Sequence, residues 1–226
     1  TNSVRLFVAE IAQNRESLYV HKELEKRVEI VKLGEDVNKN KFLRKEAIDR
    51  TIAVLQNFVE IAKEYKSTKI IGYATSAVSD SSNADEFITK VKALGIDCHI
   101  ISGEEEGKLN FYGNSQIFHE KILVVDVGGG STEFSLGKGD NIDFVKSVNI
   151  GCVRGTEKFF SEGFTEKAII DMYHWTMERL EFLTAFQNLK TDNYKIIGVG
   201  GTATTQSSVV QKMRTYNTNK INLSTV

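Results

Sequence analysis

Ile122-Leu123-Val124-Val125 runs without a polar residue into Asp126-Val127-Gly128-Gly129-Gly130-Ser131-Thr132-Glu133. A short, wholly apolar run is what a central strand covered on both faces requires, so Ile122 to Val125 is expected as a buried strand. An Asp at its C-terminal end stands where α/β sheets put their ligands. The three glycines remove the Cβ barrier to positive φ and let backbone N–H groups converge on an anion. Ser131 and Thr132 add hydroxyl donors. Asp126 suits Mg²⁺, which takes a few carboxylates and completes its shell with phosphate oxygens. A Gly-rich hairpin with a buried Asp cap would use the same letters for a structural end. The coincidence of strand, acid and hydroxyl-bearing turn favours a phosphorylated ligand. The loop has neither the Lys of a Walker A motif nor the spacing of the dinucleotide fingerprint.

Outward from this loop the chain alternates strands and helices. Ser3 to Ile11 is strand-like, followed by extended segments at Ser17 to Val20 and Glu23 to Val31, which together predict a strand meander. Lys41 to Lys66 predicts a long helix with Ala47, Ile48, Ile52, Leu55, Val59 and Ala62 on one stripe. A strand at Lys69 to Tyr73 comes next. A helix capped by Asn83, with Glu86 as its capping-box partner, follows, and then a strand at Cys98 to Ile101. Glu104 to about Asn114 reads as a helix whose first turn is acidic, as the helix dipole favours.

After Lys121 the pattern starts over. Beyond the glycine loop, strands are expected at Thr132 to Leu136 and Ile142 to Ile150. A long helix is expected at Thr165 to Asn188, with Ile169, Tyr173, Thr176, Leu180 and Leu183 inward. A strand at Lys195 to Val199 then leads into a helix opened by Gly200-Gly201-Thr202. Each half therefore holds a strand meander, a long helix and a strand feeding a helix, a two-fold α/β duplication. The join near Phe118 to Lys121 divides it into 1–119 and 120–226.

Bulk properties narrow the partners. The chain has 226 residues, a net charge of −1 and a pI near 6.4. A protein holding a polyanion through its overall field would be basic, so any anion is held by local amides, local cations or a metal. Nucleic acid is not expected. No apolar run reaches the ~20 residues of a bilayer helix, so no membrane is expected either. The opening residues carry no basic-then-apolar leader pattern. Cys98 and Cys152 show no metal spacing and read as buried free thiols in a reducing compartment, which makes the cytoplasm the expected location. Proline is absent, which has no physical account here. The polar opening runs straight into a strand and reads as a piece whose first residues are missing.

Three further stretches offer chemistry. At Gly198 to Thr204 a strand ends in Gly200-Gly201-Thr202 and enters a helix, presenting amides at a positive helix terminus; close helix–strand packing would select the same glycines. Ser102-Gly103-Glu104-Glu105-Glu106 puts carboxylates where one could orient or deprotonate a water, although three Glu at a helix start also simply match the dipole. Thr75 and Ser76 end a strand with two hydroxyls, as an ordinary strand-to-helix loop also would.

Taken in order, these pieces resemble the exopolyphosphatase/guanosine pentaphosphate phosphohydrolase family, Ppx/GppA. The segments that carry the resemblance are Thr1 to Leu6, Ala74 to Val78, Asn83 to Phe87, Ile100 to Glu106, Asp126 to Glu133, Gly151 to Arg154 and Gly198 to Thr204. The resemblance implies two similar actin-like (ribonuclease H-like) domains, each a mixed sheet with flanking helices, and an active site in the interdomain cleft. It implies release of orthophosphate from the end of inorganic polyphosphate, or from guanosine pentaphosphate to leave the tetraphosphate. By the same resemblance Glu106 is the catalytic base, and Asp126 and Glu133 hold Mg²⁺ (or Mn²⁺). Gly128, Gly129, Gly130 and Ser131 bind phosphate, with Gly200, Gly201, Thr202, Thr75 and Ser76 beside them. Thr1, Asn2 and Ser3 form the facing phosphate loop, near Arg5. Members are often dimeric, which implies a homodimer. The sequence departs from the pattern at Ser79, where the family often carries an Arg near the substrate phosphates; Arg5, Lys108 and Arg154 are the candidate replacements. That departure keeps open a non-catalytic sensor of polyphosphate or guanosine tetraphosphate, and the wider superfamily keeps open an ATPase or kinase.

Overall fold

The computed structural model describes residues 2–13, 18–183 and 193–225. Packing divides the chain into two units, 1–101 and 102–226. The division falls ahead of the join placed near Phe118 to Lys121, because the helix at Gly103–Ser115 packs on the strands that follow it.

In the first unit β1 (Ser3–Gln13) pairs antiparallel with β2 (Leu18–Ile30), with two register shifts. The expected meander of three strands is therefore a two-stranded ribbon, and Glu23 to Val31 continues the segment that begins at Leu18 instead of forming a strand of its own. The turn α1 (Val37–Asn40) precedes α2 (Lys45–Glu64), whose Ala47, Ile48, Thr51, Phe58, Val59 and Ala62 are buried. β3 (Ile71–Ala74) pairs parallel with β4 (Asp97–Ile100), linked through α3 (Ser76–Ser79) and α4 (Ala84–Ala93). These elements share a core of Val31, Leu33, Leu43, Ile48, Val78, Phe87 and Val91.

Asn83 corrects an expectation. It precedes α4 but makes no side-chain cap. Its amide instead clamps Leu43, accepting from Leu43 N at 2.8 Å and donating to Leu43 O at 3.0 Å. A side chain spent on a distant backbone is unavailable to its own helix, and Glu86 pairs with Lys90 instead.

The second unit is built on one sheet in the order β7-β6-β5-β8, from β5 (Ile122–Val127), β6 (Thr132–Lys138), β7 (Asn141–Val148) and β8 (Lys195–Val199). β5 lies antiparallel to β6 and parallel to β8, so the apolar run is a central strand as expected. Side chains alternate across a sheet. Ile122 and Val124 face α5 (Gly103–Ser115), packing with Phe111, Phe118, Ile142, Ile197 and Val199. Leu123, Phe134 and Leu136 face the other way, against Phe144, Leu180, Phe182 and Leu183. At Val127 the strand gives way to the glycine loop, and the helices that follow among the described residues are α6 (Cys152–Phe159), α7 (Glu166–Arg179), α8 (Gly200–Val210) and α9 (Thr218–Ile221).

α7 departs from its expected packing. It ends at Arg179, and Ile169 and Tyr173 are exposed rather than inward; residues 184–188 of the expected helix lie outside the described residues. Cys98 is buried as expected, but Cys152, the first residue of α6, is exposed. Among the described residues no helix is long and apolar enough to cross a membrane.

Candidate active site

The last turn of β5 and its register partners set a row of polar groups on the α5 side of the sheet. Asp126 stands opposite Glu133, Glu133 opposite Ser147, and Asp126 also opposite Val199. Directly opposed residues in a sheet share a face, and like charges there repel. Two carboxylates in this arrangement, one of them Glu133 at 2% exposure, could hold a metal ion together with a third acidic group.

α5 brings the third carboxylate. Its N-terminus is fixed by a capping box: Glu105 N donates to Ser102 Oγ, while Ser102 N donates to Glu105 Oε2 at 2.7 Å. That bond, with the Ser102 hydroxyl, lowers the Glu105 pKa below the ordinary carboxylate value. Successive helical residues are rotated by about 100°, so the three glutamates take three roles. Glu104 points to solvent, Glu105 caps, and Glu106 is half-buried towards the sheet. Each of Glu106, Asp126 and Glu133 offers an oxygen, and these lie within 4.8 Å of one another.

α5 can approach so closely because glycines line its sheet face. A Cβ at Gly107 would fall 2.9 Å from Val145 and 3.0 Å from Ser135 Oγ, and one at Gly103 only 2.5 Å from Ser147 Cβ. Ser135 Oγ donates to Gly107 O at 2.9 Å across this seam.

Neutral donors hold the carboxylates. Ser147 Oγ donates to Glu133 Oε1 at 2.8 Å, and Asn110 Nδ2 donates to Asp126 Oδ2 at 2.7 Å. Burial raises the Glu133 pKa above its ordinary value; the Ser147 and Ser131 hydroxyls oppose the shift, while the charges of Asp126 and Glu104 add to it.

The glycine loop is braced from behind by α6. Gly128 O accepts from Cys152 N, Gly129 O from Val153 N and Arg154 N, and Gly130 O from Arg154 Nε at 2.7 Å. In a trans peptide the N–H points opposite to the C=O. With those three carbonyls turned to α6, the N–H groups of Gly129, Gly130 and Ser131 are turned away from it. The structure corrects the expected cause: among the described residues the positive-φ glycines are Gly95, Gly139, Gly163 and Gly200. Bracing by α6, not left-handed backbone at Gly128 to Gly130, orients the loop.

Gly200 has φ +83°, and a Cβ there would collide with Asp126 Oδ1. The start of α8 therefore abuts the end of β5, and Gly200 joins the same site as the glycine loop. Gly201 and Thr202 continue α8 from there.

Other expected residues lie in the first unit. Thr1 is outside the described residues. Asn2 O accepts from Val31 N and Lys32 N, Ser3 opens β1, and Arg5 is exposed on that strand. Thr75 precedes α3 and Ser76 begins it. Ser79 is exposed at the end of α3. The sequence reading missed Asn110 and Ser147. Only the spacing Glu106–Asn110, one helical turn, offered a signal for the first, and nothing local did for the second.

Residues 10–226 match the family model of the Ppx/GppA phosphatase family. The chain belongs to the Ppx/GppA phosphatase family. It is 46% identical, over 99% of its length, to a bifunctional 3-dehydroquinate synthase/phosphatase of Fusobacterium nucleatum, of which it spans only 35%. It is 31% identical over its full length to exopolyphosphatase 2 of Mycobacterium tuberculosis, spanning 73% of that protein. An exopolyphosphatase structure from Cytophaga hutchinsonii superposes with a TM-score of 0.81 at 27% identity, over 95% of this chain and 70% of that one. The architecture is the α/β actin-like fold of these Ppx/GppA structures.

Proposed function

We propose that this Ppx/GppA chain carries a phosphohydrolase site that releases orthophosphate from the end of inorganic polyphosphate, or from guanosine pentaphosphate. The observation that carries the reading is the set of three carboxylates, Glu106, Asp126 and Glu133, beside a loop whose N–H groups are turned away from its brace. The relative named exopolyphosphatase 2 supports polyphosphate as a substrate.

Asp126 and Glu133 would hold Mg²⁺ or Mn²⁺. The residues fit such an ion, since two opposed carboxylates, one buried, call for a compact cation with oxygen ligands. When bound, the ion supplies positive charge against phosphoryl oxygens. The N–H groups of Gly129, Gly130 and Ser131 grip the terminal phosphate. Glu106, on the rigid first turns of α5, orients a water and takes its proton as the phosphoanhydride oxygen leaves. Phosphoryl transfer asks mostly for positioning and charge neutralisation, and these groups supply both. Substrate-binding roles for Asn2, Ser3, Arg5, Thr75 and Ser76, and a homodimeric assembly, belong to the same proposal.

The test is phosphate release from each substrate with Mg²⁺, comparing the protein with Glu106→Gln. The variant should lose about 10²–10⁴-fold, the usual contribution of a positioned base. Equal rates would remove Glu106 from the reaction. Ser79, which places no cation at the end of α3, favours a second reading: a sensor that binds guanosine tetraphosphate or polyphosphate without turning it over. Tight binding with no phosphate release in the unmodified protein would establish that reading. Formation of ADP from ATP would instead point to a kinase or ATPase.

A further inference from the structure

Asn110 lies one helical turn beyond Glu106, on the same face of α5. Its Nδ2 donates to Asp126 Oδ2 at 2.7 Å. An ionised carboxylate only accepts hydrogen bonds, so the amide must present its N–H side. We propose that Asn110 is a positioning residue that makes Asp126 a one-oxygen metal ligand, and that it thereby favours Mg²⁺ and Mn²⁺ over Ca²⁺. The inference rests on the metal-dependent reading of the carboxylate cluster given above.

Three observations hold Asn110 in place. The neighbouring Phe111 is fully buried in the core beneath β5, which fixes the rotation of α5. The Gly107 seam fixes how close α5 comes to the sheet. Asn114 Nδ2 donates to Asn110 O at 2.8 Å, tying the next turn of the helix to it. The amide is thus held by the helix that also carries Glu106.

The residue type follows from the task. A Lys here would bring a charge that competes with the cation, and a Glu would add a fourth negative charge. An aliphatic side chain would remove the donor that Oδ2 accepts from. Ca²⁺ takes six to eight oxygens and accepts carboxylates in the two-oxygen as well as the one-oxygen mode, whereas Mg²⁺ demands octahedral geometry with few protein ligands. An amide that occupies one oxygen without adding charge selects against the first mode. Partners of this kind, standing behind a ligand, typically change metal affinity 10–100-fold when removed.

The test measures ion binding without substrate. Mn²⁺ binding is followed by electron paramagnetic resonance, and Ca²⁺ by competition against bound Mn²⁺, in the protein and in Asn110→Ala, Asn110→Gln and Asp126→Asn. Alanine is the best helix former, so α5 persists, and far-UV circular dichroism checks it. The expected result is Mn²⁺ affinity about tenfold weaker in Asn110→Ala, with Ca²⁺ unchanged or tighter, so that the preference collapses. Asn110→Gln, which keeps a donor, should retain most of the preference. Wild-type Mn²⁺ and Ca²⁺ constants in Asn110→Ala, with Asp126→Asn weakened, would overturn the role of Asn110 and leave the metal site standing. Unchanged Mn²⁺ binding in Asp126→Asn would instead overturn the metal reading, and the role of Asn110 with it.

Discussion

Glu133→Gln should stabilise the metal-free protein at alkaline pH, and the expected size follows from the geometry. Oxygens of Glu106, Asp126 and Glu133 lie within 4.8 Å of one another. At that separation two unit charges repel by about 0.9 kcal/mol in a water-like dielectric and about 3.5 kcal/mol at an effective value of 20. Neutralising Glu133 removes two of the three pairs, a gross gain of roughly 2–7 kcal/mol. The lower end applies because Glu106 and Asp126 are half-exposed, and because Glu133 can escape repulsion by taking up a proton. A gain of about 2 kcal/mol raises Tm by roughly 4–8 °C in a chain of this size.

The pH dependence has a definite sign. The Glu133 pKa is raised in the folded state, chiefly by burial. Its favourable contribution is therefore fully present below the unfolded carboxylate value and is lost as pH rises through the folded one. Thermal melts in chelator should show the variant and the wild type converging at acidic pH and separating as pH climbs. Saturating Mg²⁺ should reverse the order, since an ion at 100 times its Kd adds about 2.7 kcal/mol to the protein that binds it. A variant that melts below the wild type at pH 8 without metal would refute the burial argument, as would a difference that ignores pH.

Two other substitutions probe the walls of the site. Arg154→Leu removes the guanidinium bond to Gly130 O; with charged hydrogen bonds worth about 1.5–3 kcal/mol, KM for the phosphorylated substrate should rise roughly tenfold or more, and an unchanged KM would show that α6 amides alone hold the loop. Gly200→Ala meets both a left-handed φ of +83° and the Asp126 carboxylate; backbone strain of about 1–2 kcal/mol should lower Tm by a few degrees and weaken Mn²⁺ binding, and a variant melting and binding like the wild type would remove Gly200 from the site.

The glycine loop and its strand were legible because all their information is contiguous: an apolar run, an acid and a turn. Glu106 was distinguishable from Glu104 and Glu105 only through the family resemblance, since the three letters are identical and their roles differ by helical rotation. The capping box that occupies Glu105 was in fact readable, as Ser102 stands three residues before it. Ser147 could not be found locally, because it reaches Glu133 through the β6–β7 register. Asn83 looked like a cap because its sequence neighbours fit that motif, yet its partner, Leu43, lies 40 residues earlier in the sequence, just before α2. The burial of α7 was over-read for a related reason: periodicity gives a helix an apolar face without saying what covers it.

The place of β8 in the sheet has a consequence for how this protein is made. β5 carries Asp126 and the most apolar stretch of the unit, and β8 is its parallel neighbour. On a ribosome adding ~5–20 residues per second, several seconds separate the appearance of Val127 from that of Lys195. Throughout that interval the nascent chain holds β5 as an open edge, a ready template for pairing with a neighbouring chain. Crowded synthesis is therefore a condition under which this unit is exposed to aggregation, and pairing with β8 covers the β5 edge and leaves the shorter β8 outermost in the sheet.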